Sequence, residues 1–248
     1  MNKKAALITG VLGGIGKALG KTFRERGYYV YGLDIRIPDV GEAAQVCDIF
    51  IPFDLHAFCT NEAYRIEQQN TFGQVIPKLH VLVNNAAVQL LDHTENIRLA
   101  DWQETLNVNL TGPLLLSQYF LPLLEQENGA IVNIASIHQL LTKPRFVSYA
   151  TSKSALVGLT KSMAVDLKDR VRVNAISPAA IETSMLRAGF NNDESALDVL
   201  RNLHPVKRIG YPDEVAKLVL FLCSDEAGFI SGANFTLDGG ISSVLHDV

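Results

Sequence analysis

Short apolar runs alternate with amphipathic stretches from one end of the chain to the other. The apolar runs predict seven strands, at residues 5–9, 28–33, 49–53, 80–83, 130–135, 171–176 and 234–237. Helical spacing predicts helices from Ile15 to Gly27 and at 110–124, 148–167 and 215–223, whereas Pro38 and Gly41 favour a loop at 36–48. Strands that alternate with helices form right-handed crossovers and a mostly parallel sheet. We therefore expect a single doubly wound α/β domain over residues 1–248.

Composition narrows the range of functions. The 248 residues are 48% hydrophobic and 19% charged, with a formal net charge of −4. This composition excludes a disordered chain, and the absence of a Lys and Arg cluster argues against a nucleic-acid partner. No apolar run approaches the length of a membrane helix, so we expect no membrane partner.

The N-terminal segment and the cysteines both favour a cytoplasmic protein. Lys3 and Lys4 precede an apolar run, as in a signal peptide, but glycines interrupt that run. Cys47, Cys59 and Cys223 are odd in number and lack metal-ligand spacing. We therefore expect free thiols, no disulfide and no metal site.

A glycine-rich turn, residues 9–16, links the first strand to the first helix. Glycine lets a pyrophosphate approach the backbone and the helix N-terminus without a clash with Cβ. A glycine-rich stretch alone indicates only a tight turn, but its position between a strand and an amphipathic helix predicts nucleotide binding. The candidate contacts in this turn are Gly10, Leu12, Gly14, Ile15 and Gly16.

Polar and small residues at the ends of the next strands extend this nucleotide site. Asp34 can accept hydrogen bonds from both adenosine ribose hydroxyls and repel a 2′-phosphate, which favours NAD over NADP, although Arg36 lies nearby. Asp54 and Leu55 are placed to contact adenine, unless Asp54 is a helix N-cap. The remaining candidates follow the fourth strand: Asn85, Ala86 and Ala87.

Tyr149 and Lys153 carry the predicted chemistry. Their i, i+4 spacing puts both side chains on one face of the long helix, where an ammonium group lowers the tyrosine pKa. Such a pair is common on protein surfaces, so its significance depends on neighbouring groups. Ser136 follows the fifth strand and can polarise a substrate oxygen, and Asn109 is placed to hold a water beside Lys153 or merely to bend a helix.

In order and spacing, these residues resemble the compact branch of the short-chain dehydrogenase/reductase family over essentially the whole chain. The resemblance is carried also by residues 172–174, Ser177, Pro178, Thr183 and 237–240. It implies a catalytic tetrad of Asn109, Ser136, Tyr149 and Lys153. It further implies that Lys153 binds the nicotinamide ribose, that Pro178, Ile181 and Thr183 meet the carboxamide and pyrophosphate, and that the protein is a homotetramer.

Several positions depart from the family pattern. Ala87 and Ala179 stand where the family usually has glycine, and alanine would be strained there if the backbone needed a positive φ. Leu12 and Gly13 replace small hydroxylated residues of the turn, which removes a hydroxyl contact to phosphate. We expect these departures to affect the fit of the cofactor rather than activity.

The substrate side is less well defined by the sequence. Residues 184–205 occupy the position of the family's substrate lid and include Met185, Leu186 and Phe190. The other candidate wall residues are Gln89, Leu90, His138 and Gln139. Gln89, His138 and Gln139 favour a sugar or polyol, unless they face water; His138 has no partner at metal-ligand spacing.

The sequence thus predicts an NAD(H)-dependent oxidoreductase that interconverts a secondary alcohol and a ketone, with Tyr149 as acid and base. Three alternatives remain: an enoyl or imine reductase, a dehydrogenase of hydrophobic or steroid alcohols, and a catalytically silent nucleotide sensor. The complete set of four polar residues argues against the silent sensor.

Overall fold

Seven parallel strands form the centre of the computed structural model, which describes residues 3–245. The strands are β1 (Ala5–Thr9), β2 (Tyr29–Asp34), β3 (Ile49–Pro52), β4 (Val81–Asn84), β5 (Ala130–Ile134), β6 (Arg172–Pro178) and β7 (Asn234–Leu237). Their order in the sheet is β3-β2-β1-β4-β5-β6-β7. The predicted doubly wound α/β domain is therefore confirmed, although the ends of the range 1–248 lie outside the described residues.

Helices cover both faces of this sheet. Within residues 3–245 they are α1 (Gly14–Glu25), α2 (Glu42–Val46), α3 (Leu55–Thr60), α4 (Glu62–Val75), α5 (Leu99–Leu106), α6 (Gly112–Gln126), α7 (Val147–Leu167), α8 (Ser184–Gly189), α9 (Glu194–Leu203) and α10 (Pro212–Leu222). No helix in this part of the chain combines the length and apolarity needed to cross a membrane.

The two faces of the sheet bury separate apolar layers. Alternate residues of β1 point in opposite directions: Ile8 packs with Leu19 of α1 and Val219 of α10, while Leu7 packs with Phe72 of α4 and Phe120 of α6. These six side chains are fully buried. Such two-sided burial explains why the central strands are apolar at every position rather than at alternate ones.

The strand order reverses between β1 and β4, which opens a crevice at their carboxyl ends. A buried amide relay supports this region. Asn84 donates to Asn133 over 2.8 Å, and Asn133 donates to the Thr160 hydroxyl over 2.9 Å. The relay fixes β4, β5 and α7 relative to one another directly below the crevice.

The range 36–48 contains a helix where the sequence predicted only a loop. Gly41, with φ of +81°, precedes α2. Glu42 then accepts a hydrogen bond from the Asp39 backbone and pairs with Arg36. The glycine signal correctly indicated a turn, but it could not show that these polar contacts and the burial of Val46 stabilise one helical turn after it.

The predicted helix at 110–124 also differs from the structure. It is the second half of a longer element in which α5 and α6 are joined by a π-helical turn at Asn107–Thr111. Gly112 donates to the carbonyl of Asn107, and Pro113 has no N–H for the ordinary ladder. The helices α3 and α4 were not predicted from the sequence, although Asp54 and Asn61, which are typical N-cap residues, begin them.

We predict opposite effects from two glycine-to-alanine changes in helices. A Cβ at Gly20 would lie 2.1 Å from the Val46 carbonyl oxygen, whereas a Cβ at exposed Gly73 would meet the Tyr119 hydroxyl at an ordinary 3.6 Å. Gly20→Ala should cost about 1–3 kcal/mol in the free energy of unfolding. Gly73→Ala should add about 0.5–1 kcal/mol. Urea unfolding of both variants measures this, and equal effects would contradict the close contact between α1 and α2.

Candidate active site

A single cavity of about 1030 Å³ opens at the carboxyl ends of the strands. It brings together most of the residues that the sequence singled out: Gly10, Leu12, Gly14, Ile15, Asp34, Asp54, Leu55, Asn85, Ala86, Ala87, Gln89, Ser136, His138, Tyr149, Lys153, Pro178, Ile181, Thr183, Met185, Leu186 and Phe190. Four predicted residues do not line it: Gly16, Asn109, Leu90 and Gln139. The volume is large for a single small ligand.

The glycine-rich turn forms one end of the cavity. Gly10 has φ of +64°, and a Cβ on Gly16 would lie 2.0 Å from the Gly10 carbonyl oxygen. Gly16 therefore contributes to the tightness of the turn rather than to the cavity wall. No side chain caps the N-terminus of α1. Its first backbone N–H groups are thus available to an anion such as a pyrophosphate.

Asp34 lies at the end of β2 beside this turn. Its carboxylate accepts hydrogen bonds from the backbone of Leu12 over 2.9 Å and of Arg36 over 3.0 Å. Arg36 itself forms a two-pronged pair with Glu42, at 2.8 and 2.7 Å, and Lys17 lies 2.9 Å from the same carboxylate. These cations hold the pKa of Glu42 well below its usual range. The charge of Arg36 is therefore already balanced by a carboxylate.

Two predicted cofactor contacts also have structural roles. The Asn85 side chain donates to the carbonyls of Thr9 and Gly10, at 2.9 and 3.1 Å, and so ties the β4 exit to the glycine-rich turn. The Asp54 carboxylate accepts from the Ala57 backbone over 2.9 Å and caps α3. The N-cap alternative for Asp54 is thus present in the structure, and the residue also lines the cavity.

Alanine is not strained at the two positions where the family usually has glycine. Neither Ala87 nor Ala179 is among the residues with positive φ. The Ala179 backbone donates to the Leu237 carbonyl over 3.0 Å in a regular continuation of the sheet. The conformational penalty considered from the sequence therefore does not arise.

Ser136, Tyr149 and Lys153 meet on one wall of the cavity. The side chain of Ser136, at the end of β5, is hydrogen-bonded to the Tyr149 hydroxyl. Lys153, only 2% exposed, donates to the Ile134 carbonyl over 2.7 Å and lies 5.6 Å from the centroid of the Tyr149 ring. The predicted side-by-side placement on α7 therefore brings a hydroxyl, a phenol and an amine to one point.

Burial has the larger effect on the ionisation of this group. It raises the pKa of Tyr149, against the lowering effect of the hydrogen bond with Ser136. It also lowers the pKa of Lys153 to about 7. The sequence-based expectation of a lowered tyrosine pKa is therefore wrong for the site in this state, because desolvation of the phenolate outweighs the stabilising neighbours.

The position of Asn109 fits one of the two sequence-based alternatives, a bend in a helix, and the other, a water held beside Lys153, stays a prediction. The Asn109 side chain accepts from the backbone N–H of Val88 over 2.9 Å and donates to the Val88 carbonyl and the Ser152 hydroxyl, each over 3.0 Å. It lies in the π-helical turn and is 1% exposed. Its side chain therefore fixes the segment after β4 against α7, and it is not a cavity wall residue.

The far end of the cavity combines the predicted wall residue His138 with three residues that were not predicted from the sequence. His138 stacks on Phe146, with ring centroids 4.3 Å apart, and burial lowers the pKa of its imidazole to about 4. Lys143, Arg145 and His204 also line the wall. Lys143 and Arg145 are in the loop between β5 and α7, whose length and charge were visible in the sequence.

The range 184–205 folds into two helices, α8 and α9, over this end of the cavity. Thr183 caps α8 by accepting from the Leu186 backbone over 3.2 Å, and Asp193 caps α9. Met185, Leu186 and Phe190 of this segment line the cavity. The segment therefore occupies the place expected of a lid, and no cluster of potential metal ligands occurs within residues 3–245.

Comparison with known proteins places this geometry in a wider group. A family model described as enoyl-(acyl carrier protein) reductase matches residues 10–242. The NAD-dependent glycerol dehydrogenase of Listeria innocua is 34% identical over 96% of this chain and 93% of its own length. The 3-oxoacyl-[acyl-carrier-protein] reductase of Thermotoga maritima is 33% identical over 96% and 97%.

A solved structure shows the same arrangement in three dimensions. The aldohexose dehydrogenase of Thermoplasma acidophilum, determined without ligand, superposes with a TM-score of 0.90 and 32% identity. The match covers 100% of this chain and 97% of that protein. The similarity therefore extends over the whole fold and includes the cavity.

We predict that the buried Lys153 makes the free energy of unfolding increase with pH. Between pH 7 and 10.5 the unfolded chain keeps a proton on Lys153 that the folded protein releases. The free energy of unfolding therefore rises with pH across this window, by at most about 1.4 kcal/mol per pH unit. Lys153→Met should lack this rise, while Lys161→Met, an exposed position on the same helix, should keep it. Chemical unfolding at several pH values, without cofactor, measures the slopes; identical slopes in all three proteins would contradict the prediction.

Proposed function

The chain belongs to the short-chain dehydrogenase/reductase family of oxidoreductases, and we propose that it interconverts a secondary alcohol and a ketone with NAD as cofactor. The observation that carries this proposal is the hydrogen-bonded Ser136 and Tyr149 pair with Lys153 beside it, in the same cavity as the glycine-rich turn. A homotetramer stays a prediction from the family resemblance, and a cytoplasmic location stays a prediction from the N-terminal segment and the cysteines.

The residues of the turn fit a dinucleotide. The uncapped α1 N-terminus supplies backbone N–H groups for a pyrophosphate, and the close approach of Gly14 to Thr183 leaves no space for a side chain there. Asp34 is placed to accept the ribose hydroxyls. Because Glu42 balances the charge of Arg36, the ribose end offers little attraction to a 2′-phosphate, which supports NAD over NADP.

The mechanism follows from the three side chains on the cavity wall. Ser136 donates a hydrogen bond to the substrate oxygen and holds it near the Tyr149 hydroxyl. Tyr149 takes the hydroxyl proton during oxidation and returns it to the carbonyl oxygen during reduction. Its raised pKa keeps the phenol protonated, which suits donation to a carbonyl. The glycine-rich turn and Asp34 would hold NAD, which would supply the acceptor for the hydride that leaves the alcohol carbon as the ketone forms.

Lys153 lies beside the Tyr149 ring and influences the ionisation of its hydroxyl. Its amine is fixed by the Ile134 carbonyl at 2.7 Å, and it is also the group that we assign to the nicotinamide ribose. When protonated, it favours the phenolate that forms as Tyr149 loses its proton. Asn109 acts indirectly, because its side chain holds Val88 and Ser152 around this centre.

A sugar or polyol is the substrate class that we favour. Gln89 and the buried, uncharged His138 offer hydrogen bonds at the cavity wall. Two relatives carry names that refer to glycerol and to an aldohexose. The description of the family model keeps enoyl reduction as the second candidate. An enoyl thioester tested with NADH distinguishes the two.

We predict that Tyr149→Phe lowers turnover by about 10²–10⁴-fold. The variant loses the proton-exchanging hydroxyl but keeps the ring, so NADH binding should be nearly unchanged. Formation of NADH from NAD and a panel of polyols, sugars and apolar secondary alcohols measures turnover. Tyr211→Phe is the control, because Tyr211 is exposed and outside the cavity. Turnover in Tyr149→Phe that matches the control would rule out this role for the hydroxyl.

The cofactor preference has a separate test. Asp34→Asn keeps an acceptor for the Leu12 backbone but removes the negative charge that repels a 2′-phosphate. The dissociation constant for NADPH divided by that for NADH should therefore fall. Glu42→Gln should also lower this ratio, because it removes the carboxylate that pairs with Arg36 and leaves the guanidinium to bind a 2′-phosphate. Fluorescence titration with each reduced cofactor gives the ratios. If neither variant changes the ratio, the two carboxylates do not determine the preference.

A further inference from the structure

Two cations line the cavity without an acidic partner among residues 3–245. The Lys143 ammonium lies 4.6 Å from the Phe146 ring centroid and 5.5 Å from that of Phe190. The Arg145 guanidinium donates only to the Leu91 carbonyl, over 3.4 Å. Both residues are wall residues of the same cavity as Tyr149.

Several other arginines are paired with acids, whereas Arg65 and Arg172 donate to backbone carbonyls instead. Arg36, Arg187, Arg201 and Arg208 each lie within ion-pair distance of a carboxylate. The acids of the lid are used in the same way: Glu194 pairs with Arg187 and Arg201. Lys143 and Arg145, in contrast, form no ion pair with a carboxylate of the described residues, although Glu95 lines a smaller neighbouring cavity with them.

The acids that line the cavity do not neutralise these cations either. They are Asp34, Asp54 and Glu104, and none of them forms an ion pair with Lys143 or Arg145. Asp34 and Asp54 follow β2 and β3, on one side of β1, whereas the two cations follow β5, on the other side. Asp34 and Asp54 therefore lie at the nucleoside end of the cavity and the two cations at the substrate end, while Glu104 of α5 lines the wall without an ion pair to either cation.

Neutral polar groups accompany the cations. His138 Nδ1 and His204 Nε2 are buried and have no hydrogen-bond partner among residues 3–245, and both residues line the cavity. His204 Nδ1 is 2.8 Å from the Leu200 carbonyl, which makes it the donor and leaves Nε2 as an acceptor. Such unpaired buried groups are costly unless a ligand satisfies them.

We propose that the substrate is an anionic derivative of a sugar or polyol, a hydroxy acid or a phosphate ester, whose charged group binds between Lys143 and Arg145 while its alcohol carbon faces Tyr149. The inference rests on the proposed function and specifies its substrate class. Phe146 lies between the two points, with its ring beside Lys143 and 6.1 Å from the Tyr149 ring centroid, so the bound molecule spans one aromatic ring. Its remaining hydroxyls meet Gln89 and the two histidines.

Partial desolvation strengthens this interaction. Burial lowers the pKa of Lys143, so its ammonium has already lost part of its water before a ligand arrives. An anion that enters restores a polar partner to a cation held between two aromatic rings, in a region of lower dielectric than bulk water. A neutral polyol restores only part of that stabilisation.

Matched pairs of compounds test the proposal. Threitol and tartrate have the same internal hydroxyls and differ in their terminal groups, and glycerol is compared with glycerate and glycerol 3-phosphate. Turnover with NAD gives kcat/KM for each. Binding to the enzyme–NADH complex, followed by the fluorescence of bound NADH, gives dissociation constants that do not require turnover. We expect the anions to be preferred by about 10- to 100-fold.

Variants assign the preference to the two cations. Lys143→Met keeps a chain that packs on the rings, and Arg145→Asn suits the left-handed backbone at that position, where φ is +73°. Each should raise KM and the dissociation constant for the anions by about tenfold and leave the neutral compounds unchanged. Lys217→Met, exposed on α10 and outside the cavity, is the matched control.

The outcomes separate this inference from the proposed function. Turnover of neutral alcohols with no preference for anions, and no effect of Lys143→Met, would overturn the inference and leave the function standing. No turnover with any alcohol would overturn the function, while anion binding that Lys143→Met abolishes would still support the site. A preference for glycerate alone or for glycerol 3-phosphate alone supports the proposal and identifies the charged group.

Discussion

The buried amine of Lys153 is the constraint on which the active site depends. A lysine that is 2% exposed needs a polar partner, and the Ile134 carbonyl at the end of β5 supplies it at 2.7 Å. This bond, together with the Asn133 and Thr160 contact, fixes α7 against the sheet. With α7 fixed in this way, Tyr149 lies beside Ser136, two residues after the end of β5. The hydrogen bond between the buried Lys153 amine and the Ile134 carbonyl therefore determines where Tyr149 and Ser136 meet.

The same desolvation gives each group its ionisation state. Burial disfavours both the phenolate and the ammonium, so it raises the pKa of Tyr149 and lowers the pKa of Lys153 to about 7, which moves the two values apart. Transfer of a proton from the phenol to the amine therefore costs more free energy at this site than between a free tyrosine and lysine in water, and the uncharged pair is favoured. The hydrogen bond with Ser136 opposes the rise at Tyr149 and keeps it limited.

Residues at strand ends could be predicted from the sequence because parallel strands place their carboxyl ends at one edge. This reasoning located Asp34, Ser136 and the glycine-rich turn in one cavity before the fold was known. It failed where tertiary contacts decide local structure. Glu42 stabilises α2 through Arg36 and Lys17, which both lie outside α2 and contribute nothing to its sequence pattern. The π-helical turn that positions Asn109 likewise depends on Pro113 and has no periodicity of its own.

The position of Lys143 shows that a basic residue indicates an anion-binding site only when the groups around it are known. In the sequence, Lys143 and Arg145 are two basic residues in a polar loop. In the fold, the Lys143 ammonium lies over the rings of Phe146 and Phe190 at the cavity wall and forms no ion pair with an acid of the described residues. The stacked, uncharged His138 separates this positive end from Tyr149 without adding charge of its own. A ligand anion held there balances Lys143 and leaves Lys153, which already has a carbonyl partner, to act on Tyr149 alone.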